Sequence, residues 1–528
     1  MAAPPVQPES NAGSSIFSNR AIEISILVFI ILMGGLLRLY HLGQKSFSPD
    51  EAAAFWLASG NFLTIPSLAI SNNQNPLFYF LLSLWQHAFG RSEEALRCLP
   101  VLFGIASIAA IYLMGKRMMN ASTGLIASLL LSVALYHIHI SQECRTYSLL
   151  TFFCLISMYS FWGIQKESIA LDSWLYIISS IILVLAHNFG AMIPVAQNCF
   201  ILIYWGRSFW SSPFRNRWLW IQASLILLLG LWGVVIVKQF SAFEGGGFLD
   251  WISLPTISTV LMIFLQYCGA TTICNGLASL DQRDNTPALL MVFMIVFTGL
   301  CGLITVKRSH ATEGQDEKKP LLTILENQSW ELRFKNVKIH LLLFCWMAVP
   351  MLIPFLVSQV SAHIFCPKPL SFCSLSLILW AAIGIDRIQR EIIKVSVLGI
   401  LLILSWGCID QFFSAQTECE WRDATAFIES KASQNDLIYF DILYGHYSYD
   451  YYSKRNDLEM KPFPFQNYEL TQECARQISS ECRQKKGIWL VISNSFDEKR
   501  YGLTFMKNIR RPTIEEHFFG IDLYFFPP

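Results

Sequence analysis

The stretch IEISILVFIILMGGLLRLY, Ile22–Tyr40, decides what kind of molecule this is. Its centre, Ile24–Leu37, carries no charge, and as a helix the whole stretch is about as long as the ~30 Å hydrocarbon core of a bilayer is thick. Similar runs recur at Leu219–Val237, Ala288–Val306 and Val395–Phe413. Of the 528 residues, 53% are hydrophobic and 15% charged, where a soluble protein carries about 25% charge. A soluble multidomain enzyme is excluded. With 39 basic and 38 acidic residues, no global field favours nucleic acid. The first 20 residues are polar and lack a cleavage pattern, so Ile22–Tyr40 reads as a retained anchor. Most of the 14 cysteines, among them Cys154, Cys199, Cys301 and Cys345, lie in apolar runs as small core hydrophobes, and no pair has zinc-site spacing.

The pattern predicts a polytopic α-helical membrane protein of about 11 spans: Ile22–Tyr40, Leu96–Met114, Thr123–Leu135, Tyr147–Gly163, Trp174–His187, Ala191–Trp205, Leu219–Val237, Ala288–Val306, His340–Val357, Leu370–Ile385 and Val395–Phe413. Placing the N-terminus inside puts Lys116/Arg117, Lys166, Arg207/Arg215/Arg217, Lys307–Lys338 and Arg387/Arg390/Lys394 on the cytoplasmic side, as the positive-inside bias requires. Counting Ile252–Cys268 as a crossing would expose Lys307, Arg308, Lys318 and Lys319, so it reads as interfacial or re-entrant. The domains expected are a polar cytoplasmic N-terminus (1–20), a membrane module (21–413) with a first outer loop (41–95), a polar cytoplasmic linker (307–338) and a soluble extracytoplasmic α/β domain (414–528). Leu77–Phe89 in the first loop is amphipathic and suited to the membrane surface. In the tail, Trp421–Ala432 reads as helix, and Leu437–Phe440, Ile488–Ser493 and Ile521–Phe526 as strands. There Cys419, Cys474 and Cys482 would share an oxidising compartment, where one disulfide leaves a third thiol over.

Ionisable residues gather at the outer face. Phe47-Ser48-Pro49-Asp50-Glu51 opens the first loop; its two acids suit either the solvated first turn of a helix or catalysis. At the outer end of the third span, Tyr136 to Tyr147 packs His137, His139, Ser141, Gln142, Glu143, Arg145 and Thr146 into a short turn, where the bland alternative is a Glu143–Arg145 pair fixing the turn. Gln74-Asn75-Pro76, Arg97, His187-Asn188 and Lys368 lie on the same face; a lone lysine at a helix end ordinarily snorkels. A transporter or lipid flippase is the alternative function. It would place charges near the bilayer midplane and broken spans in two related halves, whereas these spans have apolar centres and no internal repeat is visible.

The run Asn75-Pro76-Leu77-Phe78-Tyr79 … Phe89-Gly90-Arg91-Ser92-Glu93 … Leu96-Arg97 … Pro100-Val101-Leu102-Phe103-Gly104, continuing to Ser141-Gln142-Glu143 … Arg145, resembles bacterial GT-C membrane glycosyltransferases of the protein-mannosyltransferase-like family 39, related to the lipid A aminoarabinose transferases. Asp50-Glu51 matches their first-loop acidic motif and Glu420-Trp421-Arg422-Asp423-Ala424 the start of their C-terminal domain. The family's His-Pro-Pro stands here as Gln74-Asn75-Pro76, and its Arg-Tyr before the tenth span as Lys368-Pro369. The resemblance implies an inner-membrane enzyme moving a sugar from a polyprenyl-phosphate donor to an acceptor hydroxyl on a glycan, lipid or protein, with no nucleic acid involved. It casts Asp50 as general base, Glu51 as its near-equal competitor and Glu143 as orienting group. Arg97, Arg145 and Lys368 become donor-phosphate ligands, and Asn75, His137, His139, Tyr147 and His187 line the pocket. No cofactor is required; a divalent ion held by Asp50 and Glu143 is compatible with these residues.

Overall fold

The computed structural model describes residues 20–166, 170–244, 252–270, 285–308, 330–361, 363–415, 419–441, 444–463, 472–483, 487–493 and 501–528. The predicted N-terminal segment 1–20, apart from Arg20, and most of the 307–338 linker lie outside these residues. The membrane part contains α1 (Arg20–Leu39), α5 (Glu93–Met118), α6 (Ala121–Ser132), α7 (Leu135–Gln142), α8 (Tyr147–Lys166), α9 (Ala170–Ala186), α10 (Met192–Tyr204), α11 (Arg215–Glu244), α12 (Ile257–Tyr267), α13 (Thr286–Leu303), α14 (Val337–Val360), α15 (Cys373–Asp386) and α16 (Glu391–Ser414). The first loop contributes α2 (Pro49–Ala58), α3 (Ile65–Ser71) and α4 (Leu77–Phe89).

All eleven predicted segments form helix, but they are not equal. Among the described residues six helices are long and apolar enough to cross a bilayer, or eight when two bent pairs each count as one span. The shortfall from eleven falls on α9, on 188–204 and on α15, of 17, 17 and 14 residues. The 11-residue α12 spans about 16 Å, half a hydrocarbon core. The ends of the polar linker are not loop: Ile304–Arg308 (β1) pairs antiparallel with Trp330–Phe334 (β2).

One of the bent pairs is braced by a buried arginine. The third predicted span breaks by 60° between α6 and α7. A break frees carbonyls that lipid cannot satisfy. Arg38, fully buried at the end of α1, takes them up: its Nη1 donates to Ser132 O (3.1 Å) and its Nη2 to Leu131 O (3.1 Å). The same Nη2 lies 2.9 Å from His137 Nδ1. Gly104 lets α5 pass this junction, since a Cβ there would stand 2.2 Å from Ser141 Oγ.

The tail carries α17 (Trp421–Lys431), β3 (Leu437–Phe440), α18 (Gly445–Tyr452), β4 (Glu459–Pro462), α19 (Gln472–Arg483), β5 (Ile488–Ser493), α20 (Tyr501–Ile509), β6 (Ile514–Phe518) and β7 (Ile521–Phe526). Its sheet has the order β4-β3-β5-β7-β6, parallel across β4-β3-β5 and antiparallel across β5-β7-β6. The run Ile488–Ser493 is buried along its whole length, as a central strand covered on both faces must be. Cys419 is a buried thiol in one core of this domain. The side chains of Cys474 and Cys482 lie outside the described residues.

Candidate active site

Ser48-Pro49-Asp50-Glu51 forms a capping box at the start of α2. Ser48 Oγ accepts from Glu51 N, and Glu51 Oε2 accepts from Ser48 N at 3.1 Å. That geometry sends the two acids in different directions. Glu51 turns inward and is 2% exposed. Its Oε1 accepts from Arg97 Nε (2.8 Å) and Cys144 N (2.9 Å), and its Oε2 from Arg97 Nη2 (2.9 Å). Burial pushes this carboxyl up, and the Arg97 guanidinium with the two backbone N–H groups outweighs it, so Glu51 stays below the usual carboxylate range.

Arg97 is equally committed. Its Nη1 donates to Leu42 O and Lys45 O (2.9 and 2.8 Å) and its Nη2 to Ser46 O (3.2 Å). With the two bonds to Glu51, all five guanidinium N–H donors are used inside the protein.

Asp50, one position earlier, is exposed at the site's surface. No hydrogen bond or ion pair of its carboxylate is found among the described residues. Its charge nevertheless acts on Tyr79, Glu143, Arg145, Lys368 and Tyr444, which places it among them.

Glu143 and Arg145 follow the C-terminus of α7, and their side chains do not pair. Glu143 Oε1 instead accepts from Lys368 Nζ at 2.8 Å, while its buried Oε2 has no partner. Burial raises the Glu143 carboxyl above its ordinary value; Lys368 opposes this, and the nearby Glu51 and Asp50 charges add to it. Lys368 is fixed from behind, because Tyr136 donates to Pro367 O (2.9 Å) and Tyr267 to Leu370 O (2.6 Å). Arg145 is loosely held: Nη1 reaches Asp50 O at 3.3 Å and the Tyr79 hydroxyl at 3.5 Å, and its buried Nε is unpartnered.

The residues expected to line the pocket divide. Asn75 Nδ2 donates to Val184 O (2.6 Å) and Asn188 Oδ1 (2.9 Å), tying the first loop to the end of α9. His137 is taken up by Arg38 in the helix junction, away from the site. His187 caps the following turn, its Nδ1 accepting from Phe189 N at 3.1 Å, and its ring lies 6.4 Å from that of Tyr147. Tyr147 and His139 do face the charged cluster: the Arg145 guanidinium lies 6.0 Å from the Tyr147 ring, and the buried His139 Nε2 is unpartnered. Among the described residues no three His, Cys, Asp or Glu side chains come together to hold a metal ion.

Residue-by-residue reading of the sequence passes over the contact between the tail and the first loop. Helix α18 of the tail packs on α2: Tyr451 lies 4.6 Å from Phe47 and 5.0 Å from Phe55, and Tyr447 5.3 Å from Trp56. The Tyr452 hydroxyl accepts from Phe47 N (2.7 Å) and donates to Glu93, which also receives Arg422. These partners come from segments more than 300 residues apart, and no local pattern announces them.

Residues 71–236 match the family described as dolichyl-phosphate-mannose-protein mannosyltransferase. An uncharacterized protein of Aquifex aeolicus (strain VF5) is 29% identical over 188 residues, 34% of this chain; the match spans only 37% of that relative's length. The fold is shared more widely. ArnT from Cupriavidus metallidurans superposes with a TM-score of 0.58 over 96% of this chain and 98% of its own, at 11% identity in the apo state. Its undecaprenyl-phosphate-bound structure matches equally well, at 10% identity. The Archaeoglobus fulgidus oligosaccharyltransferase aligns with a TM-score of 0.51 at 12% identity, over 93% of this chain and 72% of its own. Residues 71–236 are thus similar to that mannosyltransferase family, and the chain as a whole is a polytopic helical membrane protein that shares the fold of ArnT along nearly its whole length.

Proposed function

We propose that the chain transfers a sugar from a polyprenyl-phosphate donor to an acceptor hydroxyl at the extracytoplasmic face of the inner membrane. The observation that carries this is the exposed Asp50 carboxylate set among two cations, Arg145 and Lys368, at one end of an apolar helix bundle. In the reaction the acceptor oxygen bonds to the anomeric carbon, its proton passes to Asp50, and the carbon–oxygen bond to phosphate breaks with its electron pair on phosphate. That leaving group, with a second pKa of about 6, needs no general acid. It does need cations as its charge grows. Arg145 has donors to give, and Lys368 is held by a single carboxylate oxygen. Glu143 aims Lys368 and offers its second oxygen to substrate. Arg97, with no donor left over, positions Glu51 and the first loop and does not hold phosphate. A divalent ion bound by Asp50 and Glu143 would draw the rest of its shell from donor oxygens. Transfer by the purified chain from a panel of polyprenyl-phosphate sugars tests the reading; no transfer from any of them would sink it.

The phosphate role has its own test. A cation at the leaving oxygens gains more in the transition state than in the ground state, so losing it lowers turnover more than affinity. Arg145→Lys replaces a two-pronged donor with a point charge. It is expected to depress kcat well beyond its effect on donor KM, with thermal stability retained. Normal turnover in that variant removes Arg145 from the site.

In the same reading the chain crosses the membrane eleven times with its N-terminus inside. Cysteine probes at Ser48 and Asn456 are then labelled from outside intact cells, and one at Gly314 is not. Outside labelling of Gly314 would overturn the eleven-span count.

A further inference from the structure

We propose that Trp56, Tyr444 and Tyr447 form an acceptor subsite that takes a sugar ring, which makes the acceptor a saccharide. The inference rests on the transferase reading above and names its second substrate.

Three observations lead there. First, two large aromatic side chains are part-exposed beside the first loop: Trp56 is 41% and Tyr444 39% exposed. Their rings join through Tyr447, whose centroid is 5.3 Å from Trp56 and 5.9 Å from Tyr444. Second, this wall adjoins the helix that carries Asp50: Trp56 and Asp50 share α2, and Tyr447 of α18 packs on Trp56. Third, the exposed Asp450 lies one helical turn from Tyr447 on α18.

The combination suits a pyranose. Its ring has a face of C–H groups, which lies against the electron-rich face of an aromatic ring, and an edge of hydroxyls, which donate to carboxylates. Asp450 would hold one such hydroxyl at the wall while Asp50 receives the proton of the reacting one. A peptide acceptor asks for different chemistry. Pairing of an extended backbone along an open strand edge, one common mode of peptide recognition, is not offered there, since the element of the tail that packs on α2 is a helix. Exposed aromatic rings also present a rigid surface with little side-chain entropy to lose, which favours a weak ligand with few contacts.

Saturation-transfer NMR on the solubilised full chain, with methyl pyranosides as one set of probes and a Ser/Thr-containing peptide as the other, reads the wall without catalysis. At least one glycoside should receive saturation from the wild type, and less from Tyr444→Ala and Trp56→Ala; Tyr444→Phe and Trp56→Phe, which keep a ring, should restore it. In transfer assays with that glycoside as acceptor, each alanine variant should raise acceptor KM about 10-fold, one ring contact's worth, with kcat changed far less. Saturation of the peptide and of no glycoside, or an unaltered acceptor KM in both alanine variants, overturns the proposal. If wild type binds glycosides yet transfers from no donor, the transferase reading fails and the acceptor role falls with it, while the sugar-binding wall stands.

Discussion

Replacing Asp50 with asparagine is expected to cut transfer by about 10²–10⁴-fold, the usual worth of a general base, with the melting temperature of the purified protein unchanged. The change keeps the shape of the side chain and removes only its capacity to take a proton. Stability is insensitive because the carboxylate is exposed and makes no hydrogen bond or ion pair among the described residues. Donor affinity changes little for a related reason: the proposed phosphate ligands, Arg145 and Lys368, do not depend on the Asp50 carboxylate for their placement. The measurement is single-turnover transfer beside a thermal melt on one preparation. A fall of less than about 10-fold would shift the proton-accepting role to Glu143, whose second oxygen is unpartnered.

The opposite result is expected at the partner of the neighbouring Glu51. Arg97→Met leaves Glu51 as a buried charge without its partner and strips the carbonyls of Leu42, Lys45 and Ser46 of their donors. Breaking one side of a buried ion pair costs about 3–5 kcal/mol. The variant should melt much earlier and yield little active protein. The double variant Glu51→Leu/Arg97→Met should lose less than the sum of the single losses, because it removes both charges together. A stable Arg97→Met protein lacking only donor binding would instead restore Arg97 to the phosphate.

How these two neighbours differ was partly legible. Ser48-x-x-Glu51 has the spacing of a capping box, and a capping glutamate points back along its helix, so the sequence held a reason to assign Glu51 to architecture and Asp50 to chemistry. Composition likewise foretold the apolar helices, and in the tail Leu437–Phe440, Ile488–Ser493 and Ile521–Phe526 are the strands their alternation or apolar runs predict. Three things were not legible. Hydropathy gives the length of an apolar run but not whether it bends, so the break between α6 and α7 went unseen, and with it the reason His137 belongs to Arg38. Charge type does not reveal saturation: Arg97 and Arg145 look alike in sequence, yet one has every donor engaged and the other does not. Pairings such as Tyr452 with Glu93 join distant segments, and a single sequence carries no record of them.

The joint at Glu93 bears on how such a chain can be taken apart. Composition draws a border near Ser414, where apolar residues give way to ordinary soluble sequence. The bonds draw it elsewhere. Tyr452 holds the backbone of Phe47, Arg422 reaches Gly43 O at 3.0 Å, and Tyr451 donates to Arg91 O at 2.8 Å. The tail and residues 41–95 are therefore joined directly, although the spans stand between them in the sequence. A chimera that swaps the tail alone would leave the loop carrying Asp50 against a surface it was not shaped to meet. One that swaps loop and tail together would keep the joint, and two ancestral exchanges at separate loci would have had to stay in step to preserve it.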